Sequence, residues 1–122
     1  MKVLVIEDNP DLAKLLREIF EIKGCVALVA NNADAGLNYA RSESPDIIFC
    51  DLRLPGEMSG LDLARRFRTE QGLAHIPLIA VTGYNTKKDQ LEAIDAGFNM
   101  VFSKPVKFAD VSMALETYGV RV

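Results

Sequence analysis

The chain alternates between short apolar runs and longer segments in which hydrophobic residues are more widely spaced. The short runs are rich in valine and isoleucine and almost continuously hydrophobic, which is typical of parallel strands covered on both faces. They are KVLVI (2–6), CVALV (25–29), DIIFC (46–50), PLIAV (77–81) and NMVF (99–102). The pattern therefore predicts five strands.

Apolar residues in the intervening segments recur at intervals of three and four, which predicts amphipathic helices. The first helix should have Asn9 as its N-cap and Pro10 in its first position, and should stop near Gly24. The other helices are expected over 33–41, from about Ser59, from the cap Thr86 to the stop Gly97, and over 107–118.

Each predicted helix should bury one face. The side chains expected to point inward are Leu12, Leu15, Leu16, Ile19 and Phe20 in the first helix, Ala33, Leu37 and Ala40 in the second, Leu61, Ala64 and Phe67 in the third, Leu91 and Ile94 in the fourth, and Phe108, Val111, Leu115 and Tyr118 in the fifth. Arg65, Arg66 and Arg68 are expected on the solvated face of the third helix.

The alternation of five strands with five helices predicts an α/β fold. Five strands are too few for an eight-stranded barrel, and crossovers between parallel strands are nearly always right-handed, so an open doubly wound (βα)5 sheet is expected. The 122 residues have the size of one domain and contain no repeat or low-complexity linker. We therefore expect a single domain over residues 1–122.

Composition and charge narrow the possible functions. The net charge of -3 argues against direct nucleic-acid binding, which needs a basic face. No apolar run approaches the length that spans a bilayer, so no membrane partner is expected. Cys25 and Cys50 lie inside apolar runs without a CxxC or Cys/His cluster, and we expect buried free thiols that suit a reducing cytoplasm.

Polar residues follow four of the five predicted strands. Glu7 and Asp8 end the first strand, Asp51 the third and Thr82 the fourth, while the fifth runs towards Lys104. Each has an ordinary structural interpretation alone, as a turn, cap or solvated residue. Ligands of open α/β sheets bind at the carboxyl ends of the strands, so we expect these side chains to converge on one rim.

The converging residue types favour phosphoryl chemistry. Three carboxylates held together repel one another and need a cation, and oxygen ligands in a small open site suit Mg²⁺. A metal and an ammonium group beside one carboxylate leave room for a dianion such as a phosphoryl group. Asp51 is the candidate nucleophile, because carboxylates can form acyl phosphates.

At these residues the sequence resembles the receiver domain of response regulators in two-component signalling. The motifs are VLVIEDN, IIFCDLRLPG followed by EMSG, IAVTG and FSKP, in the order and at the spacing of that family. The resemblance covers essentially the whole chain. It implies a flavodoxin-like sheet with strand order 2-1-3-4-5.

The resemblance also implies a role for each rim residue. Asp51 would be the phosphoacceptor, Lys104 would pair with the phosphoryl group and Thr82 would hydrogen-bond to it. Mg²⁺ would be bound directly by Asp8 and Asp51, through water by Glu7, and by the backbone carbonyl of Arg53. The bond from Lys104 to Pro105 is expected to be cis, as in the family.

Partners follow from the same resemblance. A histidine kinase or a histidine phosphotransfer domain would donate the phosphoryl group from a phosphohistidine, and hydrolysis would reset the domain. The chain would thus be a signalling phosphoacceptor that assists its own phosphorylation and dephosphorylation. Phosphorylation would draw Thr82 inward and shift the face formed by the fourth helix, fifth strand and fifth helix, which would bind a downstream protein or a second copy of the chain.

The chain departs from the usual family pattern at three places. Val101 stands where the family usually has a rotating aromatic switch residue, and valine has no ring and is stiff at χ1, so a muted or different switch is expected. Arg53, two residues after Asp51, should overhang the pocket, where it either alters the kinetics or is merely solvated. The segment between Pro55 and Gly60 is one residue longer than usual, most simply as a solvent-facing bulge.

Other interpretations remain. A haloacid-dehalogenase-like phosphatase would share the aspartyl nucleophile and Mg²⁺ but needs an aspartate two positions further on, where Arg53 stands. A flavodoxin-like FMN protein would need a hydroxyl- and glycine-rich loop in place of EDNPD. The chain is either a regulator that acts alone or a receiver module from a hybrid sensor histidine kinase or a longer regulator.

Overall fold

The computed structural model describes residues 1–83 and 86–118, in which five strands alternate with five helices. The elements are β1 (Lys2–Ile6), α1 (Pro10–Ile22), β2 (Val26–Ala30), α2 (Ala33–Glu43), β3 (Ile47–Asp51), α3 (Gly60–Thr69), β4 (Leu78–Thr82), α4 (Lys87–Ala96), β5 (Met100–Ser103) and α5 (Phe108–Tyr118). The predicted α/β alternation is confirmed. After β1, each strand begins and ends one residue later than the apolar pattern predicts.

The strands form one parallel sheet in the order β2-β1-β3-β4-β5. This is the flavodoxin-like order that the resemblance implied. The order places β1 and β4 on either side of β3, and β5 beside β4. The carboxyl ends of β1, β3, β4 and β5 consequently lie next to one another at one edge of the sheet.

The central strands β1, β3 and β4 are buried on both faces. Side chains on one face, such as Leu4, Ile48 and Leu78, pack against α2, α3 and α4. Those on the other face pack against α1 and α5, where the rings of Phe20 and Phe49 meet edge to face with centroids 4.9 Å apart. This double burial explains why the strands read as continuous apolar runs.

Local capping fixes where the helices start. Asn9 accepts hydrogen bonds from the backbone N–H groups of Asp11 and Leu12, which confirms it as the N-cap of α1. Ser59 and Thr86 each form a reciprocal capping box with the aspartate three residues later, Asp62 and Asp89 respectively. Both helices that flank the carboxyl end of β4 therefore begin at sharply defined residues.

The predicted inward faces of two helices are wrong in part. Leu91 and Ile94 of α4 are 62% and 50% exposed, whereas Ala93 and Ala96 are buried. Small side chains allow a helix to pack closely on its neighbours, so on α4 the alanine stripe and not the leucine stripe faces inward. In α3 Leu63 is fully buried and the predicted Leu61 only partly.

One predicted inward residue in each of α1 and α5 is also exposed. Leu15 and Phe108 are 46% and 52% exposed, although both fit the helical periodicity of their segments. Phe108 lies under the ammonium group of Lys23, 4.2 Å from its ring centroid. A cation–π contact at the surface therefore covers a ring that the pattern placed in the core.

The sequence suggested that Arg68 lies on the solvated face of α3, and this prediction is wrong. Its guanidinium donates to the backbone carbonyls of Gly97 (2.7 Å), Ala74 (2.8 Å) and Ile76 (2.7 Å), and to Oδ1 of Asn99 (2.8 Å). Partial burial lowers the pKa of Arg68, yet the group remains a cation far above neutral pH. Arg68 thus ties α3 to the loops on either side of β4.

Arg68→Ala is expected to lower the free energy of unfolding by about 2–3 kcal/mol, because several carbonyl groups lose a charged donor. Urea denaturation would measure the loss. Arg65→Ala is the matched control, since Arg65 lies exposed on the same helix and pairs with Asp62 at 3.3 Å. That control should cost less than about 0.5 kcal/mol, and equal losses would contradict the assignment.

Candidate functional site

The rim residues predicted from the strand ends meet at the carboxyl edge of the sheet. Glu7 and Asp8 follow β1, Asp51 ends β3 and Thr82 ends β4. Lys104 follows β5, and its backbone N–H donates to the carbonyl of Thr82 at 2.8 Å. Parallel pairing of adjacent strands is thus what brings residues nearly a hundred positions apart into one site.

The three carboxylates form a compact cluster. One oxygen each from Glu7, Asp8 and Asp51 lie within 4.8 Å of one another. Glu7 and Asp51 are buried, with 3% and 7% exposure, while Asp8 is exposed. Carboxylate oxygens at this spacing are the donor set that a hard divalent cation prefers, so the cluster can bind a metal ion.

Lys104 supplies the positive charge on the other side of the cluster. Its Nζ lies 2.8 Å from Oε1 of Glu7 and 3.1 Å from Oδ2 of Asp51. Burial alone lowers the pKa of Lys104, but hydrogen bonds to the two carboxylates outweigh it and the net shift is upward. The ammonium group is therefore held charged and bridges the two buried acids.

Glu7 carries the electrostatic cost of this arrangement. Burial raises the pKa of Glu7 from 4.5 to about 7, the hydrogen bond from Lys104 opposes the shift, and the charge of Asp51 adds to it. One ammonium group is thus insufficient to compensate both buried carboxylates. A second cation beside Glu7 would relieve this imbalance.

Two backbone contacts orient Asp51. The backbone N–H of Arg53 donates to Oδ1 of Asp51 at 3.2 Å, which leaves Oδ2 to Lys104. Gly60, the first residue of α3, packs so closely on the Asp51 carbonyl that a Cβ atom there would clash with it. The absence of a side chain at Gly60 therefore allows α3 to start directly against the end of β3.

A cleft of about 360 Å³ lies between the segment that follows β3 and α4. Its lining residues are Leu52, Arg53, Leu54, Ser59, Leu61, Thr82, Asp89 and Glu92. The exposed Arg53 lines this cleft, whereas the expected overhang above the Asp51 carboxylate stays a prediction. The sequence interpretation did not include Asp89 and Glu92, although the TKKD capping pattern indicates where Asp89 lies on α4.

Val101 and Phe102 of β5 pack on opposite faces of the sheet. Val101 contacts the core between the sheet and α2, α3 and α4, whereas Phe102 contacts the core beneath α1 and α5. The alternation expected for a strand is confirmed. Phe102 therefore cannot replace a ring at position 101 on the face that adjoins Thr82.

Other predicted features lie where the sequence placed them. The peptide bond between Lys104 and Pro105 is cis. Cys25 and Cys50 are buried free cysteines, and burial raises the pKa of Cys50. Gly56 has a φ of +94°, and residues 55–57 of the loop before α3 are exposed.

The chain belongs to the response regulator receiver domain family, whose sequence model matches residues 3–116. It is therefore a receiver domain of a two-component signalling system. A relative of similar size is the polar-differentiation response regulator DivK of Brucella anthropi, which is 33% identical over 95% of this chain and 94% of its own.

Similarity extends to much larger proteins. Hybrid signal transduction histidine kinase L of Dictyostelium discoideum is 35% identical over 97% of this chain, which spans 7% of that kinase. The receiver domain of a sensor histidine kinase from Pseudomonas aeruginosa superposes with a TM-score of 0.87 at 24% identity, over 98% of both chains. That structure is described with a magnesium ion coordinated in its active-site cleft.

Among the described residues, none of the helices is both long and apolar enough to cross a membrane.

The raised pKa of Glu7 predicts a pH-dependent stability. Ionising Glu7 is more costly in the folded than in the unfolded chain, so its contribution to stability is complete below about pH 4.5 and is lost as pH rises through 7. Glu7→Gln should therefore become progressively more stable relative to the unmodified protein between pH 5 and 8. Urea denaturation in metal-free buffer, with the exposed Glu18→Gln as control, would measure this; a pH-independent difference would contradict it.

Proposed function

We propose that Asp51 accepts a phosphoryl group from a phosphohistidine. The observation that carries this proposal is the position of the Asp51 carboxylate, buried at the end of β3 between Lys104 and the acids Glu7 and Asp8. A carboxylate so held has a fixed direction of attack and a cation ready for the incoming oxygen charge. The family to which the chain belongs supports the same role.

The transfer is a displacement at phosphorus. One oxygen of Asp51 forms a bond to phosphorus while the bond from phosphorus to the imidazole nitrogen breaks, and the electron pair stays on that nitrogen. Lys104, which contacts Asp51 in the unphosphorylated structure, then pairs with the oxygens of the transferred phosphoryl group. Thr82, buried at the end of β4, donates its hydroxyl hydrogen to one of them. In the hydrolysis that completes the cycle, water attacks phosphorus and the bond from phosphorus to the Asp51 oxygen breaks. Inorganic phosphate leaves and the Asp51 carboxylate is restored.

The donor set of the acidic cluster fits Mg²⁺. Asp8 and Asp51 would bind it directly, Glu7 through water, and the backbone carbonyl of Arg53 would complete the protein's share of the ligands. When bound, Mg²⁺ neutralises charge between the phosphoryl group and the carboxylates. Glu7, whose raised pKa reflects insufficient positive charge, is the residue that gains most from this compensation.

The proposed partners are a histidine kinase or a histidine phosphotransfer domain upstream, and a target protein or second copy of the chain downstream. The downstream surface would comprise α4, β5 and α5, where Leu91, Ile94 and Met113 are half-exposed or more. Thr82 would move towards the phosphoryl group, while Val101 offers no ring to follow it. The acidic net charge supports a protein and not a nucleic acid as the direct partner.

We infer that the receiver forms one domain and acts in the cytoplasm, where its free thiols stay reduced. A module within a hybrid sensor kinase or a longer regulator is the second candidate, because a similar sequence occurs in hybrid kinase L. In either setting the domain assists its own phosphorylation and dephosphorylation. A haloacid-dehalogenase-like phosphatase is disfavoured, since Arg53 cannot serve as its acid and base.

Incubation with acetyl phosphate and Mg²⁺ should attach one phosphoryl group to the protein, detected by intact mass spectrometry. Asp51→Asn should remove this incorporation, because an amide is not a nucleophile of comparable strength. Asp34→Asn, an exposed aspartate of α2, is the matched control and should behave like the unmodified protein. Equal incorporation with and without the Asp51 carboxylate, or none in the unmodified protein, would refute the proposal.

Mg²⁺ affinity offers an independent measurement. Asp8→Asn should weaken Mg²⁺ binding by about tenfold or more, because a direct carboxylate ligand is lost. Isothermal titration calorimetry would measure the affinity without any phosphodonor. Asp11→Asn, in the exposed first turn of α1, is the control. Unaltered affinity in Asp8→Asn would place the metal elsewhere.

A further inference from the structure

Position 101 lacks the means to report phosphorylation by moving a ring. Val101 packs into the core on the α4 side of the sheet, and its neighbour Phe102 packs on the opposite side. A receiver whose output depends on α4 therefore needs another contact between Asp51 and that helix. This inference rests on the proposed phosphorylation of Asp51.

Arg53 is tied to the candidate phosphoacceptor at one end. Its backbone N–H donates to Oδ1 of Asp51 at 3.2 Å, so its position follows that carboxylate. Its exposed side chain lines the cleft between the segment that follows Asp51 and α4. Arg53 is therefore the cationic residue nearest in sequence to the place where a phosphoryl group would be added.

Two carboxylates of α4, Asp89 and Glu92, line the same cleft. Hydrogen bonds from Thr86 chiefly lower the pKa of Asp89, and the charges of Arg53 and Lys88 lower it further. Arg53 and Asp89 thus share a cleft and interact electrostatically.

Asp89 also determines where α4 starts. Its Oδ2 accepts hydrogen bonds from the backbone N–H of Thr86 at 3.2 Å and from the Thr86 hydroxyl at 2.8 Å. Its backbone N–H in turn donates to the Thr86 hydroxyl at 3.1 Å. A change in the charge environment of Asp89 therefore acts directly on the first turn of the helix.

We propose that Arg53 couples phosphorylation of Asp51 to α4 by dividing its guanidinium between the phosphoryl group on Asp51 and the carboxylate of Asp89. A phosphoryl dianion attracts a guanidinium more strongly than a single carboxylate does, and the planar guanidinium can offer two N–H donors to either acceptor. Phosphorylation then draws Arg53 away from Asp89 and changes the electrostatic support of the α4 cap. Arg53 is a positioning residue in this mechanism. The bond between Asp51 and phosphorus forms without its participation.

The coupling has a defined thermodynamic sign. Because Asp89 competes with the phosphoryl group for Arg53, removing the Asp89 charge should tighten phosphoryl binding, and this gain should depend on Arg53. Exposed ion pairs contribute little, which corresponds to an effect of about twofold to fivefold in affinity. Any direct repulsion between Asp89 and the phosphoryl group persists when Arg53 is absent, so the two contributions can be separated.

The test is a double-mutant cycle of Arg53→Ala and Asp89→Asn, with beryllium fluoride and Mg²⁺ as the phosphoryl mimic. Asparagine keeps an acceptor oxygen for the capping box. Backbone amide chemical shifts would report the affinity of each variant for the mimic. Asp89→Asn should tighten binding about twofold to fivefold in the unmodified background and distinctly less in the Arg53→Ala background. Equal gains in the two backgrounds would overturn the proposal.

A structural readout accompanies the affinities. Binding of the mimic should shift the amides of residues 86–92 in the unmodified protein, and Arg53→Ala should reduce these shifts by at least about half. Asp62→Asn is the control for Asp89→Asn, because Asp62 occupies the same capping-box position on α3. It should leave the affinity for the mimic unchanged. Full shifts in Arg53→Ala would refute the coupling. If the unmodified protein and Asp51→Asn respond alike to the mimic, the proposed phosphoacceptor role fails first.

Discussion

The contact of Lys104 with two buried carboxylates is the interaction on which the site depends. Its ammonium group lies 2.8 Å from Glu7 and 3.1 Å from Asp51, so one cation compensates two acids. Removing one partner of a buried charge cluster leaves an uncompensated charge. The resulting loss of stability is far larger than the net stabilisation that the pair provides. The cluster is also incomplete, since burial and Asp51 together keep the pKa of Glu7 near 7 despite Lys104. A site with this residual demand for positive charge is suited to a metal ion that binds reversibly.

The sheet is what makes such a charge cluster tolerable. Strands β1, β3 and β4 are buried on both faces, and their apolar side chains fix the positions of the residues that follow them. The polar groups lie at the strand ends, where Glu7 and Asp51 are buried but Asp8 is exposed to solvent. Gly60 lets α3 begin against the Asp51 carbonyl, and capping boxes fix the starts of α3 and α4. Rigid elements thus surround a small set of side chains whose charges can change.

The α/β alternation and the membership of the acidic rim were predictable from the period and order of residues along the chain, whereas the strand order was implied by the resemblance to receiver domains. Strand ends carry the rim residues, so an error of one residue in each strand boundary did not displace them. Helix faces were less predictable. On α4 the pattern selected Leu91 and Ile94, yet close packing places Ala93 and Ala96 inside. The role of Arg68 was missed because its acceptors are backbone carbonyls in distant loops, which no side-chain pattern records.

A valine at position 101 limits how information can leave this site. A rotating ring transmits a change of shape, whereas Arg53 and Asp89 transmit a change of charge through a solvent-accessible cleft. Charge coupling is weaker than repacking and is screened by salt. It has the compensating property that both ends are anchored: Arg53 by its backbone bond to Asp51, and Asp89 by the cap it forms with Thr86. A guanidinium between two anchored acceptors needs only a small displacement to favour one over the other, and α4 need not move as a body for its first turn to respond.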